Sequence, residues 1–258
     1  MTNYSLRSPI TVNLDPISGL DRIVKPTDAV RNGRNQIDIG SEISIAISKA
    51  LRFHSRSGIS TDSSAKLSTM GTAIRTASII LKIVDATQSV LDPNSLAHGG
   101  TRAFVVNGVL TLGHPDSEKQ FREAALRIVG LGSGFTPSGD DMLGGFLAAY
   151  NSLAATVDRA RILLDLSQLK GKTSWVSAKL LDYMQRLVLD EQMSCIIDAA
   201  AEGNEDALVA GFESLLPRGH TSGIDISVGA ILAFSLLRDV GFEKNETEAI
   251  AGLLGLLS

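Results

Sequence analysis

The chain has 258 residues, of which 44% are hydrophobic and 20% are charged, a balance typical of a globular protein with a sizeable core. Its formal net charge of −4 excludes a broad electrostatic attraction to nucleic acid or to an acidic membrane surface. The single cysteine, Cys195, excludes an intramolecular disulfide and favours a reducing compartment.

The first part of the chain predicts short strands and turns. Residues 1–9 lack the apolar core of a secretory signal, so we expect a cytoplasmic protein. A β-branched run at Ile10–Val12 and an alternating pattern at Ile43–Ser48 each predict a strand. Residues 57–71 are rich in small polar side chains and predict a surface loop.

The middle of the chain predicts one helix and one hairpin. Thr72–Leu91 is dense in apolar residues and its length favours a helix, which the segment Asp92–Asn94 then stops. Within Ala103–Leu112, two apolar runs flank Asn107-Gly108, a pair that accepts the positive φ angles of a tight turn. This pattern predicts a β-hairpin.

The remainder of the chain predicts amphipathic and buried helices. Ser117 begins a helical pattern that runs through Ile128, and the apolar run Ile226–Leu237 falls short of the ~20 residues that span a bilayer. We therefore predict an α+β fold, with a β-rich N-terminal part packed on a mainly α-helical C-terminal part. The corresponding domains are residues 1–115 and 116–258, although one continuous domain also fits.

One short motif occurs twice, 84 residues apart, at residues 136–141 (Thr-Pro-Ser-Gly-Asp-Asp) and 220–225 (His-Thr-Ser-Gly-Ile-Asp). Both copies run into an apolar helix and indicate a structural pair. Gly145 and Gly229 occupy matching positions, and together with Gly144 they predict a close helix crossing that brings the two helix starts together. The matched polar positions are Ser138 with Ser222, Gly139 with Gly223, and Asp141 with Asp225.

The motif predicts a helix-starting device. The two serines are candidate N-caps, and the aspartates three residues later fall where a carboxylate completes a capping exchange. With glycines at 132, 134 and 139 keeping side chains away, free amides at the positive end of the helix can receive a phosphate or carboxylate. Ordinary capping for stability is the alternative for either copy alone.

Two residues of the motifs are candidates for catalysis. Asp140 has no capping task, so it is able to bind a metal ion, orient a substrate amine or act as a base. His220 can donate to an anion or shuttle a proton near neutral pH, and a structural histidine is the alternative. A hydroxyl-rich third cluster contains Thr173. The candidate substrate-binding residues are Gly134, Thr136, Ser138, Gly139, Asp141, Thr173, Thr221, Ser222, Gly223 and Asp225.

No His-rich or Cys-rich ligand spacing occurs in the sequence, so we predict no tightly bound cofactor or transition metal. Magnesium at Asp140 and Asp141 stays open. The sequence also contains no Gly-x-Ser-x-Gly elbow and no Walker-type phosphate loop, which disfavours the hydrolases and kinases that use them.

The segments Gly132–Asp141 and Gly219–Asp225 together resemble the family of AllH, the H subunit of an oxamate carbamoyltransferase associated with allantoin catabolism. The resemblance covers roughly residues 120–240, and Ser133 stands where the family usually has proline. It implies carbamoyl transfer between a small amide or amine and phosphate, in a complex with other subunits. It also implies that the paired helix starts hold a small carboxylate or a carbamoyl-phosphate-like group, with Asp140 and His220 positioning or transferring protons.

Two other functions stay open at this point. The chain could be a noncatalytic assembly or small-anion-binding protein whose caps are structural. It could also be a magnesium-assisted hydrolase that uses Asp140 and Asp141. Neither a nucleic acid nor a membrane is an expected partner.

Overall fold

A computed structural model describes residues 29–41, 43–46, 66–67, 70–112, 117–239 and 246–257. The chain divides into two compact units, Met1–His54 and Ser55–Ser258. The described part of the first unit is a small sheet and that of the second is helical, so the predicted α+β class is confirmed.

The sheet has three antiparallel strands in the order β1 (Val30–Asn32), β2 (Gln36–Ile39) and β3 (Ile43–Ala46). Val30 pairs with Ile39 at one end of the register, and Ile39 pairs with Ile43. The alternation of apolar and small residues in β3 gives the strand that the sequence predicts for this segment. The predicted strand at Ile10–Val12 and nearly all of the predicted loop at 57–71 lie outside the described residues.

The helical unit contains α-helices of eight to eighteen residues and one shorter helix of seven, connected mostly by short turns. Their bounds are α1 Gly71–Ile83, α2 His98–Phe104, α3 Ser117–Ile128, α4 Ser138–Leu153, α5 Trp175–Gln185, α6 Glu191–Glu202, α7 Glu205–Leu215, α8 Ser222–Asp239 and α9 Glu246–Leu253.

The two helices that follow the repeated motifs, α4 and α8, form the centre of this unit. Nearly every residue of both helices is buried, as expected for helices that are apolar on all sides. They cross closely because of Gly145 and Gly229: a Cβ on Gly145 would lie 2.1 Å from the carbonyl oxygen of Ile226, and one on Gly229 would lie 1.9 Å from that of Met142. The predicted close crossing is therefore confirmed.

The hairpin prediction for Ala103–Leu112 is wrong. This segment completes α2 and continues as a π-helical turn, Val105–Val109. The buried side chains of Phe104, Val105 and Val109 lie at helical spacing, and burial in a tertiary core outweighs the local turn signal. A Cβ on Gly108 would lie 3.1 Å from the Cβ of Ala124, so this glycine permits close packing on α3 and forms no turn.

The three helix predictions are confirmed, that from Thr72 only in outline. The helix predicted from Ser117 through Ile128 forms as α3 with these bounds. The predicted helix from Thr72 forms as α1 but ends at Ile83, and residues 84–97 form a series of turns. The apolar run Ile226–Leu237 lies in the buried helix α8. Among the described residues, no helix is both long enough and apolar enough to cross a membrane.

Candidate functional site

The two motifs begin their helices at equivalent backbone positions. The amide of Asp141 donates to the carbonyl of Pro137 at 3.1 Å, and the amide of Asp225 donates to the carbonyl of Thr221 at 2.9 Å. Pro137 is the N-cap of α4 and forms no side-chain cap. Ser138 and Ser222 are therefore the first residues of their helices, and the prediction that they are N-caps is wrong.

The amides on which the anion-binding hypothesis depended are already paired. The amide of Gly139 donates to the carbonyl of Leu131, and the amide of Gly223 donates to that of Arg218, both at 2.9 Å. Each glycine lies against the end of the preceding helix: a Cβ would come within 2.2 Å of a backbone oxygen at Gly139 and within 2.1 Å at Gly223. The amides of these two glycines are therefore not free to bind an anion, because each donates to a carbonyl in the turn after the preceding helix.

The side chains of the two motifs contact each other reciprocally. The hydroxyl of Thr136 donates to Oδ2 of Asp141 at 3.1 Å, and its oxygen lies 3.3 Å from the hydroxyl oxygen of Ser222. The hydroxyl of Ser222 also lowers the pKa of Asp141, and the hydroxyl of Ser138 lowers the pKa of Asp225. Each aspartate therefore lies beside the serine of the other motif, and we call this arrangement the crossed site.

Asp225 is held by a segment that precedes both motifs. Its Oδ1 accepts hydrogen bonds from the hydroxyl of Ser89 at 2.7 Å and from the amide of Val90 at 2.8 Å. Among the described residues, no well-aligned donor reaches its Oδ2. Asp225 is fully buried, so one oxygen of this carboxyl group has an unused hydrogen-bonding capacity.

Burial dominates the electrostatics of the crossed site. It raises the pKa of Asp141 to about 7, against the lowering effect of Ser222. Burial likewise raises the pKa of Asp225, against the lowering effect of Ser89. Arg218 lowers the pKa of Asp141 only weakly, and its guanidinium forms an ion pair with Asp190.

Asp140 lies in a different environment from Asp141. Its Oδ1 accepts from the amide of Gly130 at 2.7 Å, while its Oδ2 accepts from the hydroxyls of Thr173 and Ser177. The side chain is almost completely buried. Asp140 therefore connects the loop before α4 to the start of α5, and Thr173 belongs to this connection.

Of the remaining candidate residues, two are exposed and one is half-buried. His220 is exposed in the turn before α8, where it contributes to a lowered pKa of Asp85 that is caused mainly by the hydroxyl of Thr87. Gly134 is exposed, with a φ of +99° in the loop before α4. Thr221, at the start of α8, is half-buried and lowers the pKa of Asp225.

Sequence reasoning missed the segment at Gln88. Gln88 has a φ of +67°, its carbonyl accepts from the hydroxyl of Ser138 at 3.1 Å, and its side-chain oxygen accepts from that of Ser133 at 2.7 Å. The flanking aspartates, Asp85 and Asp92, accept hydrogen bonds from amides two residues onward, which is a turn signal visible in the sequence. The sequence analysis used only Asp92, as part of the segment that ends the predicted helix from Thr72.

The described residues contain no group of three or more His, Cys, Asp or Glu side chains that could hold a metal ion. Asp140 and Asp141 are adjacent in sequence, but their carboxyl groups have separate hydrogen-bond partners. The side chains that the crossed site presents are carboxyl groups and hydroxyls.

Comparison with protein families places the two motifs within a known family. Residues 128–234 match the family described as oxamate carbamoyltransferase subunit AllH, so the resemblance indicated by the two motifs is confirmed over this region. The matched region contains both repeated motifs, α4 and most of α8. Comparison with curated proteins and with solved structures gave no match.

Proposed function

We propose that this protein is a subunit of an oxamate carbamoyltransferase type of complex and that the crossed site binds the group that is transferred. The observation that carries this proposal is the family match over residues 128–234, whose span contains both motifs. The expected partners are the other subunits of the complex and a small anionic substrate.

The chemistry of the crossed site suits a carbamoyl or oxamate amide. Such a group presents N–H donors and a carbonyl acceptor, and the crossed site offers the carboxyl group of Asp141 beside the hydroxyls of Thr136 and Ser222. A carboxylate accepts N–H groups, and a hydroxyl donates to or accepts from either side of an amide. The charged end of the substrate would lie toward the exposed His220, which can donate to a carboxylate or phosphate.

Asp140 has a positioning role in this proposal. Three hydrogen bonds already use its carboxylate, so it holds the loop that carries Gly134 and Thr136 in place. The same bonds argue against a magnesium-assisted hydrolase with paired ligands Asp140 and Asp141, because binding a cation would break several of them.

A binding or assembly subunit without its own catalysis is the second candidate. It is favoured by Phe135 and Trp175, whose side chains are 65% and 80% exposed beside the loop that Asp140 holds. The hydroxyl of Ser174 donates to the carbonyl of Phe135 at 2.9 Å and so ties the two segments together. Exposed aromatic side chains are enriched at protein interfaces.

One experiment distinguishes these functions. The chain is purified from its native host with its partners, and carbamoyl transfer is measured for the complex, for the isolated chain and for the partners alone. Activity that needs the chain supports the proposal, and activity of the partners at full rate without the chain contradicts it. Turnover by the isolated chain excludes the assembly role, whereas partner-dependent turnover leaves the assembly role standing until site variants are tested.

The variant His220→Gln tests whether His220 binds the charged end of the substrate. Loss of one hydrogen bond to a charged group costs about 1.5 kcal/mol, so KM for the anionic substrate should rise about tenfold with a smaller change in kcat. The exposed Lys119 gives a matched control, Lys119→Gln, because its ion pair is 4.0 Å long and lies on α3. An unchanged KM in His220→Gln would remove this histidine from the site.

A further inference from the structure

The two carboxyl groups of the crossed site differ in what surrounds them. Asp141 is 8% exposed and accepts from a hydroxyl, whereas Asp225 is fully buried and has one oxygen without a well-aligned donor. Only Asp141 is therefore accessible to a bound molecule. The crossed packing of α4 and α8 has made two similar sequence positions chemically unequal.

The surroundings of Asp225 leave a place for a proton on its carboxyl group. The hydroxyl of Ser138 donates to the carbonyl of Gln88 at 3.1 Å, and a hydroxyl that gives its one proton to a carbonyl can still accept from a protonated carboxyl group beside it. A proton on Oδ2 of Asp225 fills the hydrogen-bonding capacity that no well-aligned donor among the described residues uses.

The hydroxyls beside Asp141 come from both motifs. Thr136, in the first motif, donates to Oδ2 of Asp141, and Ser222, in the second, lowers the pKa of the same carboxyl group. Donors also reach Oδ1 of Asp225, so the two carboxyl groups differ in their burial and in the unused Oδ2 of Asp225.

The charges around the crossed site do not balance two carboxylates. The guanidinium of Arg218 forms an ion pair with Asp190. The buried His98 places its Nδ1 2.7 Å from the carbonyl oxygen of Val90. His220 is exposed and lies near Asp85. The turn around Gln88 and the start of α4 add further acidic groups, Asp85, Asp92 and Asp140. A proton held by one of the two carboxyl groups is the simplest way to avoid two buried charges.

We propose that Asp225 holds a permanent proton and that Asp141 is the group that exchanges a proton with the bound amide or carbamoyl nitrogen. This inference rests on the proposed function. In the transfer to phosphate, the bond between the carbonyl carbon and the leaving nitrogen breaks, and that nitrogen takes the proton of Asp141. A phosphate oxygen forms the new bond to the carbon, and the phosphate hydroxyl returns a proton to Asp141. The reverse reaction uses the same steps in the opposite order.

The test is a pH titration of the full chain, labelled with ¹³C at the aspartate carboxyl carbons. The chemical shift of each carboxyl signal is measured by NMR at every pH. We expect one carboxyl signal to titrate with a midpoint of about 7, to vanish in Asp141→Asn and to persist near neutral pH in Asp225→Asn. Asparagine is the right substitution at 225, since its amide N–H can donate to Ser138 as the protonated carboxyl does. The variant Asp239→Asn identifies the separate signal of Asp239, whose pKa is also raised by burial.

Four outcomes would overturn the inference. They are loss of the neutral signal in Asp225→Asn, its survival in Asp141→Asn, unfolding of Asp225→Asn at pH 7, and a midpoint that moves with the Na⁺ or K⁺ concentration at constant ionic strength. The last result would place a cation, instead of a proton, between the two carboxyl groups. The titration needs no partner or turnover, so failure of the carbamoyl-transfer assay and failure of this inference are separate results.

Discussion

Asp140 shows how one carboxylate can organise three segments of backbone. It accepts from the amide of Gly130 and from the hydroxyls of Thr173 and Ser177, at a position that is almost completely buried. Hydrogen bonds to a charged group contribute about 1.5–3 kcal/mol each, and a buried donor left without a partner adds a penalty. The carboxylate should therefore matter strongly for stability.

Asp140→Ala should lower the free energy of unfolding by about 3 kcal/mol or more, and Asp140→Asn by less, because the amide oxygen still accepts. Urea denaturation followed by circular dichroism measures both. Asp165→Ala is a matched control, since Asp165 also accepts from hydroxyl and amide groups but lies in an exposed turn. Equal, small effects at both positions would contradict the structural role of Asp140.

Stability should also depend on pH through Asp141. Its pKa in the folded protein is about 7, compared with an ordinary value of 3.8, so the folded state binds more protons than the unfolded state between these values. The unfolding free energy contributed by this group is therefore greatest below pH 4 and decreases as the pH rises through 7, by at most about 4 kcal/mol. Asp225 acts in the same direction.

Denaturation curves at several pH values between 5 and 8 check this dependence, with Asp141→Asn as the comparison. The variant should show a flatter decline of stability with rising pH. Glu246 does not interfere in this range: the hydrogen bond from Arg75 lowers its pKa, so its stabilising contribution decreases only in acid. A variant with the same pH dependence as the wild type would show that Asp141 titrates normally.

At the residue scale, the sequence indicated which side chains form the crossed site better than it indicated their further contacts. The repeated spacing identified Ser138, Asp141, Ser222 and Asp225, which the structure brings together. Their partners come from the turn at Gln88, 50 residues before Ser138, and no local pattern encodes that distance. Each helix begins one residue earlier than predicted, so the two serines are first-turn residues and not N-caps.

At the scale of elements, the crossing of α4 and α8 depends on two glycines in equivalent positions. Each glycine lies against a backbone carbonyl of the other helix, with no space for a methyl group. Backbone atoms cannot move aside as a flexible side chain does, so a Cβ here forces the helices apart. The crossed site would then lose its geometry, because its residues lie on the first turns of the same two helices.

Gly145→Ala and Gly229→Ala should each destabilise the protein by about 3 kcal/mol. Gly252→Ala provides the control: it is an exposed glycine in α9 with no atom within 4 Å of the position that a Cβ would take, and the change should stabilise by about 0.5–1 kcal/mol. Thermal unfolding of the three variants measures the difference. Similar stabilities for all three would show that α4 and α8 do not depend on close contact.

The elements differ in how well local sequence determines them. The apolar run of α8 and the alternation in β3 gave correct predictions, because burial on all sides or on one face leaves a pattern in the sequence. The segment around Asn107-Gly108 did not, because its turn chemistry is overridden by the packing of Phe104, whose ring centroid lies 5.1 Å from that of Phe121. Such an override depends on distant residues and leaves no local signal.

At the scale of the whole molecule, the described hydrophobic core runs from Leu67 to Leu256 and lies entirely in the second compact unit, Ser55–Ser258. Both motifs, the turn at Gln88 and the region of the family match also lie there. The unit therefore contains the core and the crossed site together. Its 204 residues are well above the minimum of about 40 residues that a domain usually needs to fold without disulfides, metals or partners.

We expect residues 55–258 to fold as an independent unit with the crossed site intact. The fragment should keep the helical circular dichroism of the full chain and unfold cooperatively, because no buried hydrophobic residue of the described core is removed. The ¹³C carboxyl titration gives a second readout, since a midpoint near neutral pH requires Asp141 to stay buried against α8. Noncooperative unfolding, or a return of this carboxyl to ordinary aspartate behaviour, would show that residues 1–54 are needed to assemble the site.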